Sequence, residues 1–440
     1  MYLGFDIGTT KICAIVLDND GNITFSGSCA NENLIGKSEY EKIQDADAIV
    51  DKCFRLYSQA TSEYAVESIG ISTQMHGMLY FDKDGNAVSP LYTWQDERGN
   101  LPFSGSTYVQ RLSAVTGFAV ASGFGLASLY YDLENHAIPA TAAGICTIGD
   151  YLAMKLTGSL RPVMHESNAA SYGLFDIREH CWKHTAIRNA GIPSELLPDV
   201  TSRVAQTGTT RDGIPVFCCI GDNQASVYGA LQSDDDAVIN IGTGSQISVV
   251  TSTCDVPEEC EIRPYFGGKK LLLGSPLCGG YSYELLKNFF NSVTGGKVDI
   301  SYETMNAWAL QAQDENLPKT VTTFKGTRAN PLLRASVAGL DVNNFNAQSL
   351  TRSLLKGISD ELLGLYVKIT ESDGKRRRLI ASGNGIRRNK VLREIISRDF
   401  GMPLLIPENT EEAAFGAAVI AAEAECRQSL KHFVRYGENR

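Results

Sequence analysis

Two short turns rich in glycine and threonine recur about half a chain apart. Asp6-Ile7-Gly8-Thr9-Thr10 follows the apolar run 2–5, and Asn240-Ile241-Gly242-Thr243-Gly244-Ser245 follows the run 237–239. Each leads into a β-branched run, 12–17 and 246–250. A strand, a tight Gly-Thr turn and a returning strand leave backbone N–H groups and hydroxyls facing one point, which suits a phosphate. Two copies at matching places point to a duplicated unit that grips a polyphosphate. Phosphoryl transfer needs the phosphates held, their charge neutralised with Mg²⁺, and a base beside the attacking hydroxyl.

Asp222 is the best placed base. It follows the apolar run 215–220 in Gly221-Asp222-Asn223-Gln224, and ligands gather at the carboxyl ends of strands. An Asp opening a helix is equally an ordinary N-cap. Asp6 either closes its strand passively or holds a magnesium ion through water. His76, in Gln74-Met75-His76-Gly77, is either a ligand contact or a core histidine. Trp94, in Thr93-Trp94-Gln95-Asp96, is either a platform for a ligand or plain core packing.

The elements that must position these residues read as two similar halves. In the first, 11–17 and 23–28 flank Asp18-Asn19-Asp20-Gly21-Asn22, a strong hairpin signal. Residues 45–64 have a helical pattern, 68–72 form a short buried strand, and 79–81 open a second hairpin at Lys83-Asp84-Gly85-Asn86. Residues 145–156 read as a buried helix closed by Thr157-Gly158, and 215–220 as one continuous strand. In the second half Leu350, Leu354, Leu355, Ile358, Leu362 and Leu365 recur at helical spacing. A buried strand at 379–381 runs into Ser382-Gly383-Asn384-Gly385, and Asn389 caps a helix towards Phe400. A strand at 404–406 and an alanine-rich helix at 411–422 follow. The class is α/β, a mixed sheet with flanking helices made twice. Gln232-Ser233-Asp234-Asp235-Asp236 reads as a hinge, dividing the chain into 1–232 and 233–440.

Composition narrows the function classes. At 440 residues the chain suits two domains of roughly 200 residues each. Hydrophobic residues at 43% exclude a disordered class. A net charge of −10 argues against nucleic-acid binding, and Lys375-Arg376-Arg377-Arg378 reads as a solvated loop before a strand. No apolar stretch approaches the ~18 residues that cross a bilayer, and the start lacks a leader pattern, so no membrane partner is expected. Eleven cysteines, with Cys13, Cys218 and Cys219 in apolar runs, read as reduced residues of a cytoplasmic protein. His180-Cys181-Trp182-Lys183-His184 offers two imidazoles, but no second cluster completes a zinc site.

Six motifs occur in a telling order: Asp6-Ile7-Gly8-Thr9-Thr10; Gln74-Met75-His76-Gly77; Ile148-Gly149-Asp150-Tyr151-Leu152 through Thr157-Gly158; Gly221-Asp222-Asn223-Gln224-Ala225; Asn240-Ile241-Gly242-Thr243; and Glu412-Ala413-Ala414-Phe415-Gly416-Ala417-Ala418. This order resembles the FGGY family of carbohydrate kinases over nearly the whole chain. The resemblance implies two actin-like ribonuclease H-type domains around a central cleft that holds MgATP and sugar. The first would bind sugar and phosphate, the second nucleotide. By the same resemblance Asp222 is the catalytic base and Asp6 helps hold Mg²⁺. Thr9, Thr10, Gly242 and Thr243 cradle the phosphates of ATP, and Gly383, Asn384 and Gly385 lie against adenosine.

Within the family, several segments resemble the sedoheptulokinase branch. They are Thr93-Trp94-Gln95-Asp96, Asn168-Ala169-Ala170-Ser171-Tyr172-Gly173, 221–228, Arg263-Pro264-Tyr265-Phe266 and Gly279-Gly280. Met75, His76, Trp94 and Asp96 carry over as sugar contacts, the polar pair bonding hydroxyls and the apolar pair packing on carbon. Two departures stand out. The family often has Lys or Arg where this chain has Cys13; Lys11 shares that strand face and is expected to supply the charge to the nucleotide. Asn384 separates two glycines where the family often has them consecutive, and Asn tolerates left-handed backbone angles.

The expected activity is ATP-dependent phosphorylation of a terminal ketose hydroxyl, sedoheptulose to sedoheptulose 7-phosphate. A xylulokinase or other pentulokinase is the alternative. From another class comes a catalytically inactive nucleotide-dependent sugar sensor, which needs the nucleotide turns but no base at Asp222. The expected partners are the sugar, ATP and a second copy in a homodimer.

Overall fold

In the computed structural model, which describes residues 1–32 and 34–437, the first hairpin forms as its residues dictate. Strand β1 (Tyr2–Ile7) runs into β2 (Lys11–Leu17), and β2 pairs in turn with β3 (Ile23–Ala30). The β1–β2 ladder is antiparallel, with Asp6 opposite Cys13 and Ile7 opposite Ile12. Asp18 makes the next turn: its Oδ1 accepts from the N–H groups of Asp20 at 2.9 Å and Asn22 at 2.8 Å. Helix α1 (Ala46–Glu63) starts where Asp45 accepts from the Ala48 N–H. Strand β4 (Ser68–Thr73) then returns parallel to β1.

Three expectations need correction in the stretch that follows. The turn after β5 (Leu79–Asp82) forms, but its far side contributes one bridge, Phe81 to Ala87. The extended partner of β5 is β6 (Ala142–Cys146). Ile145 and Cys146 are therefore strand, and the helix expected over 145–156 is α2 (Ile148–Thr157). A capping box between Thr147 and Asp150 marks its true start, and Gly158 ends it at φ 73°. An apolar run gives no sign of where a strand hands over to a helix. The short helix α3 (Glu166–Ser171) comes next, then β7 (Gln206–Thr209). The run 215–220 divides into β8 (Pro215–Phe217) and β9 (Ile220–Gly221), which lie along the same neighbour, β4. Helix α4 (Asp222–Ala230) begins at once. The sheet order is β7-β8-β4-β1-β2-β3, with β9 also on β4.

The second unit repeats the plan. Strands β10 (Ala237–Ile241) and β11 (Ser245–Thr251) form its hairpin, followed by β12 (Cys260–Pro264) and β13 (Lys270–Gly274). The long helix α5 (Ala347–Asp373) buries the leucine stripe, and β14 (Leu379–Ser382) pairs parallel with β10. Helices α6 (Asn384–Arg387) and α7 (Lys390–Phe400), with strands β15 (Leu404–Pro407) and β16 (Tyr436–Gly437), complete it. The sheet order is β12-β13-β11-β10-β14-β15-β16.

In each sheet a hairpin strand lies between an antiparallel and a parallel partner, the ribonuclease H-type arrangement expected. Asp6 opposite Ser72 and Asn240 opposite Ser382 are equivalent positions. Both pairs are bonded: Ser72 Oγ donates to Asp6 Oδ1, and Asn240 Nδ2 donates to Ser382 Oγ, each at 2.9 Å. The duplication thus keeps the bond and leaves the charge in the first copy only.

The basic run at 375–378 is the loop before β14 that its residues suggest, with Lys375 and Arg377 exposed, but its other two arginines are anchored. Arg376 pairs with Asp373 and donates to the Val250 carbonyl at 2.9 Å, and Arg378 grips both carboxylate oxygens of Asp236 at 3.0 and 2.6 Å. Apart from Asp373, these partners lie far off in sequence, where local spacing cannot reveal them.

The last helix, α8 (Glu412–Cys426), lies against β1 and β4 of the first sheet. Strand glycines allow the approach. A Cβ on Gly4 would stand 2.1 Å from the Ala414 carbonyl oxygen, and one on Gly70 would stand 1.9 Å from that of Ala417. Residues 1–229, 263–269 and 411–433 accordingly form one compact unit, and 230–262, 270–410 and 434–437 the other. Among the described residues no helix is long and apolar enough to cross a membrane.

Candidate active site

Register alone gathers the first set of residues. β1, β4 and β9 run parallel and end together, with Ile7 opposite Thr73 and Gly221 also opposite Thr73. Asp6, the segment 74–76 and Asp222 therefore occupy one sheet edge, the carboxyl edge where α/β proteins bind ligands.

The two carboxylates there are electrostatically stressed. Burial pushes Asp222 up to about 6, against the opposing pull of the Asn223 N–H and the Arg263 guanidinium. Burial first, and then the Asp222 charge, push Asp6 up to about 7, although Ser72 pulls the other way. Asp222 opens α4, and its Oδ1 accepts the Asn223 N–H at 2.7 Å. Asp222 is thus the first residue of the helix, and its bond is to the adjacent N–H and not to the second or third helical N–H that a cap would take. Among the described residues no group of three or more His, Cys, Asp or Glu could hold a metal ion. Two hard oxygen donors that repel each other nevertheless fit a cation such as Mg²⁺, which uses one or two carboxylates and takes its remaining ligands from water and phosphate.

The first Gly-Thr turn is tightly pinned. Thr9 Oγ1 donates to Gln74 Oε1 at 3.0 Å and accepts from Trp94 Nε1 at 2.9 Å. Gln44 Nε2 holds the Thr9 carbonyl at 2.8 Å, and Asn31 Nδ2 holds that of Gly8 at 2.9 Å. Thr10 is exposed. Lys11 Nζ lies 2.6 Å from Glu411 Oε1, just ahead of α8. Burial pushes the Cys13 thiol up to about 12, so Cys13 contributes no charge and Lys11 is the cation on that face.

The sugar-side candidates divide. Trp94 is 48% exposed and so is not core packing. Met75 is buried against Gly221, where an added Cβ would meet its Sδ at 3.0 Å. His76 sits at φ 73°, stacked on Phe124 with ring centroids 4.7 Å apart. Its N–H donates to Ser171 Oγ at 3.0 Å, and its Nδ1 donates to the Ser171 carbonyl at 2.7 Å. A carbonyl only accepts, so Nδ1 carries a proton.

Asp96 requires a correction. It is 0% exposed, and its carboxylate is taken by Arg98 Nε at 2.7 Å and the Lys42 N–H at 3.1 Å. It braces the Trp94 loop instead of facing a ligand.

In the second unit the expected nucleotide residues also converge. The Gly242 N–H donates to the Gly244 carbonyl at 3.0 Å, and the Gly242 and Thr243 carbonyls accept from Gly280 at 2.8 Å and Gly279 at 3.0 Å. Gly383 and Gly385 abut the end of β10: a Cβ on either would lie 2.6 or 2.7 Å from the Ile241 carbonyl oxygen. The left-handed position of this loop is Gly383, at φ 86°, whereas Asn384 opens α6. Asn384 therefore faces no backbone penalty, for a different reason than the one expected from its own tolerance.

Several contributors escaped the sequence reading. Glu411 stands one residue before a quoted motif, and Arg263 was quoted without a role. Of the α3 side chains that reach towards His76 and Asp222, Asn168 and Ser171 lie in a segment that the sequence marks only as a branch feature, and Ser167 lies just outside it.

Comparison with known proteins completes the picture. Residues 1–229 match the N-terminal domain of the FGGY family of carbohydrate kinases, and residues 237–425 match its C-terminal domain. A sedoheptulokinase from Mus musculus is 29% identical, covering 97% of this chain and 98% of that protein. A xylulose kinase structure from Rhodospirillum rubrum superposes with a TM-score of 0.86 at 20% identity, covering 99% of this chain and 93% of that one. The Plasmodium falciparum glycerol kinase structure with ADP gives 0.79 at 21% identity, covering 97% and 89%. At these identities the two structures speak for the fold. With both halves matched in order, the chain belongs to the FGGY family of carbohydrate kinases.

Proposed function

We propose that this carbohydrate kinase transfers the γ-phosphoryl group of ATP to a terminal hydroxyl of a ketose, sedoheptulose giving sedoheptulose 7-phosphate. The observation that carries this reading is the likeness to a sedoheptulokinase along 97% of the chain. Asp222 takes the hydroxyl proton as the sugar oxygen bonds to phosphorus and the bond to the departing ADP breaks. A carboxylate lifted to about 6 is a stronger base than an ordinary Asp and still ionised at neutral pH. Asp6 is the residue that would hold Mg²⁺, whose charge, when bound, offsets that of the phosphates. Thr9, Thr10 and Lys11 in the first unit, and Gly242 and Thr243 in the second, supply phosphate contacts. Gly383, Asn384 and Gly385 face adenosine. Met75, His76 and Trp94 contact the sugar, and Asp96 fixes the Trp94 loop through Arg98.

A coupled ADP-release assay over C5 to C7 ketoses, with identification of the product, tests this. Sedoheptulose is expected to give the highest kcat/KM. A higher value for xylulose would make the protein a pentulokinase, and tight sugar binding without ADP release would make it a sensor. All eleven cysteines are free thiols, which supports a cytoplasmic location. Homodimerisation belongs to the same reading and is checked by sedimentation.

A further inference from the structure

The segment that leads into and forms α3 is polar, buried and without a role so far. His165, Ser167 and Asn168 are 0% exposed, and Ser171 is 4% exposed. Polar side chains this deep are kept for the bonds they make. Here three of the bonds end on backbone beside or within a reacting residue. Ser167 Oγ accepts the N–H of Gly221, the residue before Asp222, at 3.0 Å. The same hydroxyl donates to His165 Nδ1 at 2.9 Å. Its direction is fixed, because that nitrogen also accepts the Ser167 N–H at 3.2 Å. Asn168 Nδ2 donates to the Cys219 carbonyl at 3.0 Å, at the break between β8 and β9.

One helical turn on, Ser171 serves the other side. Its hydroxyl donates to the Asn168 carbonyl at 2.7 Å and accepts the His76 N–H at 3.0 Å. Its carbonyl accepts the His76 ring proton at 2.7 Å. His76 is thereby held at φ 73°, a conformation that costs a non-glycine residue on the order of 1 kcal/mol and persists only where neighbours enforce it. Ser167 and Ser171 stand four residues apart and so share one helix face.

We propose, on the reading of Asp222 and His76 given above, that α3 is a positioning element that sets both residues at once. Ser167 and Asn168 act on Asp222 through Gly221 and Cys219, and Ser171 acts on His76. Because one rigid turn carries both sets of bonds, it fixes the distance between the base and the sugar contact. A misplacement of about 1 Å at such a site lowers turnover about a hundredfold.

The test is steady-state kinetics of Ser167→Ala and Ser171→Ala in the intact protein, with MgATP and the preferred ketose, and Asp222→Asn alongside. Ser167→Ala is expected to lower kcat about tenfold or more with the ketose KM within about twofold. Ser171→Ala is expected to raise the ketose KM about fivefold with kcat within about threefold. If α3 only supported the fold, both variants would melt earlier yet keep wild-type kcat and KM per folded molecule, or would shift both parameters alike; either result overturns the positioning role. Should Ser167→Ala fail to fold, the split in Ser171→Ala decides by itself. Wild-type serine variants beside an inactive Asp222→Asn sink this inference alone, whereas an active Asp222→Asn sinks the reading beneath it.

Discussion

The indole N–H of Trp94 donates to the hydroxyl of Thr9 at 2.9 Å, joining a sugar-side residue to the phosphate turn. The two candidate subsites are therefore coupled before any ligand arrives. Trp94→Phe keeps the ring and removes the donor, and a neutral hydrogen bond contributes about 1 kcal/mol. The ATP KM of this variant is expected to rise about fivefold. A double-mutant cycle with Thr9→Val checks the coupling: the two effects should be clearly non-additive, and additive effects would mean that the bond is idle.

Asp6 and Asp222 both have carboxyl groups raised by folding, so the stability they contribute is fully present below about pH 4 and is lost as pH rises through 6 to 7. Replacing one removes the cost of ionising it. Asp222→Asn is expected to match the wild type near pH 3 and to exceed it by about 1–2 kcal/mol at pH 8, after discounting for partial exposure. Denaturant melts across this range read the difference. A gap that does not change with pH would show that Asp222 is not strained.

Asp6→Asn tests the metal role without turnover. MgADP at about a hundred times its Kd should stabilise the wild type by about 2.7 kcal/mol. The variant is expected to fold normally and to lose the part of that gain that EDTA removes from the wild type. Thermal shift with and without Mg²⁺ measures it, and an unchanged Mg²⁺-dependent gain would remove Asp6 from the metal site.

Asp96 and Lys11 should behave in opposite ways. Asp96 is fully buried with Arg98, and breaking a buried pair typically costs about 3–5 kcal/mol, so Asp96→Ala is expected to be strongly destabilised. Lys11 is half exposed on Glu411, where ion pairs contribute about 0–1 kcal/mol. Lys11→Met should therefore melt close to the wild type while its ATP KM rises about tenfold, as expected of a lost charge-assisted phosphate contact. Chemical denaturation and kinetics on both variants separate the two roles.

The duplicated plan was legible because it rests on local signals. Paired Gly-Thr turns, the Asp18 turn, the Asn389 cap and the leucine stripe of α5 all report their own conformation. What escaped the sequence depended on distant partners. Nothing near 411–422 says that its helix packs against Gly4 and Gly70. Nothing near Asp96 says that Arg98 and the Lys42 N–H take its carboxylate. Nor does the apolar run at 145–146 distinguish a strand from the first turn of a helix. At the site itself, residue types pointed to Asp222 and His76, but the α3 bonds that hold them join segments up to 95 residues apart.

The most direct measurement is kcat of Asp222→Asn with MgATP and sedoheptulose, taken together with ADP binding to the same folded variant. Loss of general-base catalysis predicts a fall of about a hundredfold or more, with ADP affinity unchanged. A variant that retains kcat within a few-fold of the wild type would contradict Asp222 as the group that accepts the sugar's proton.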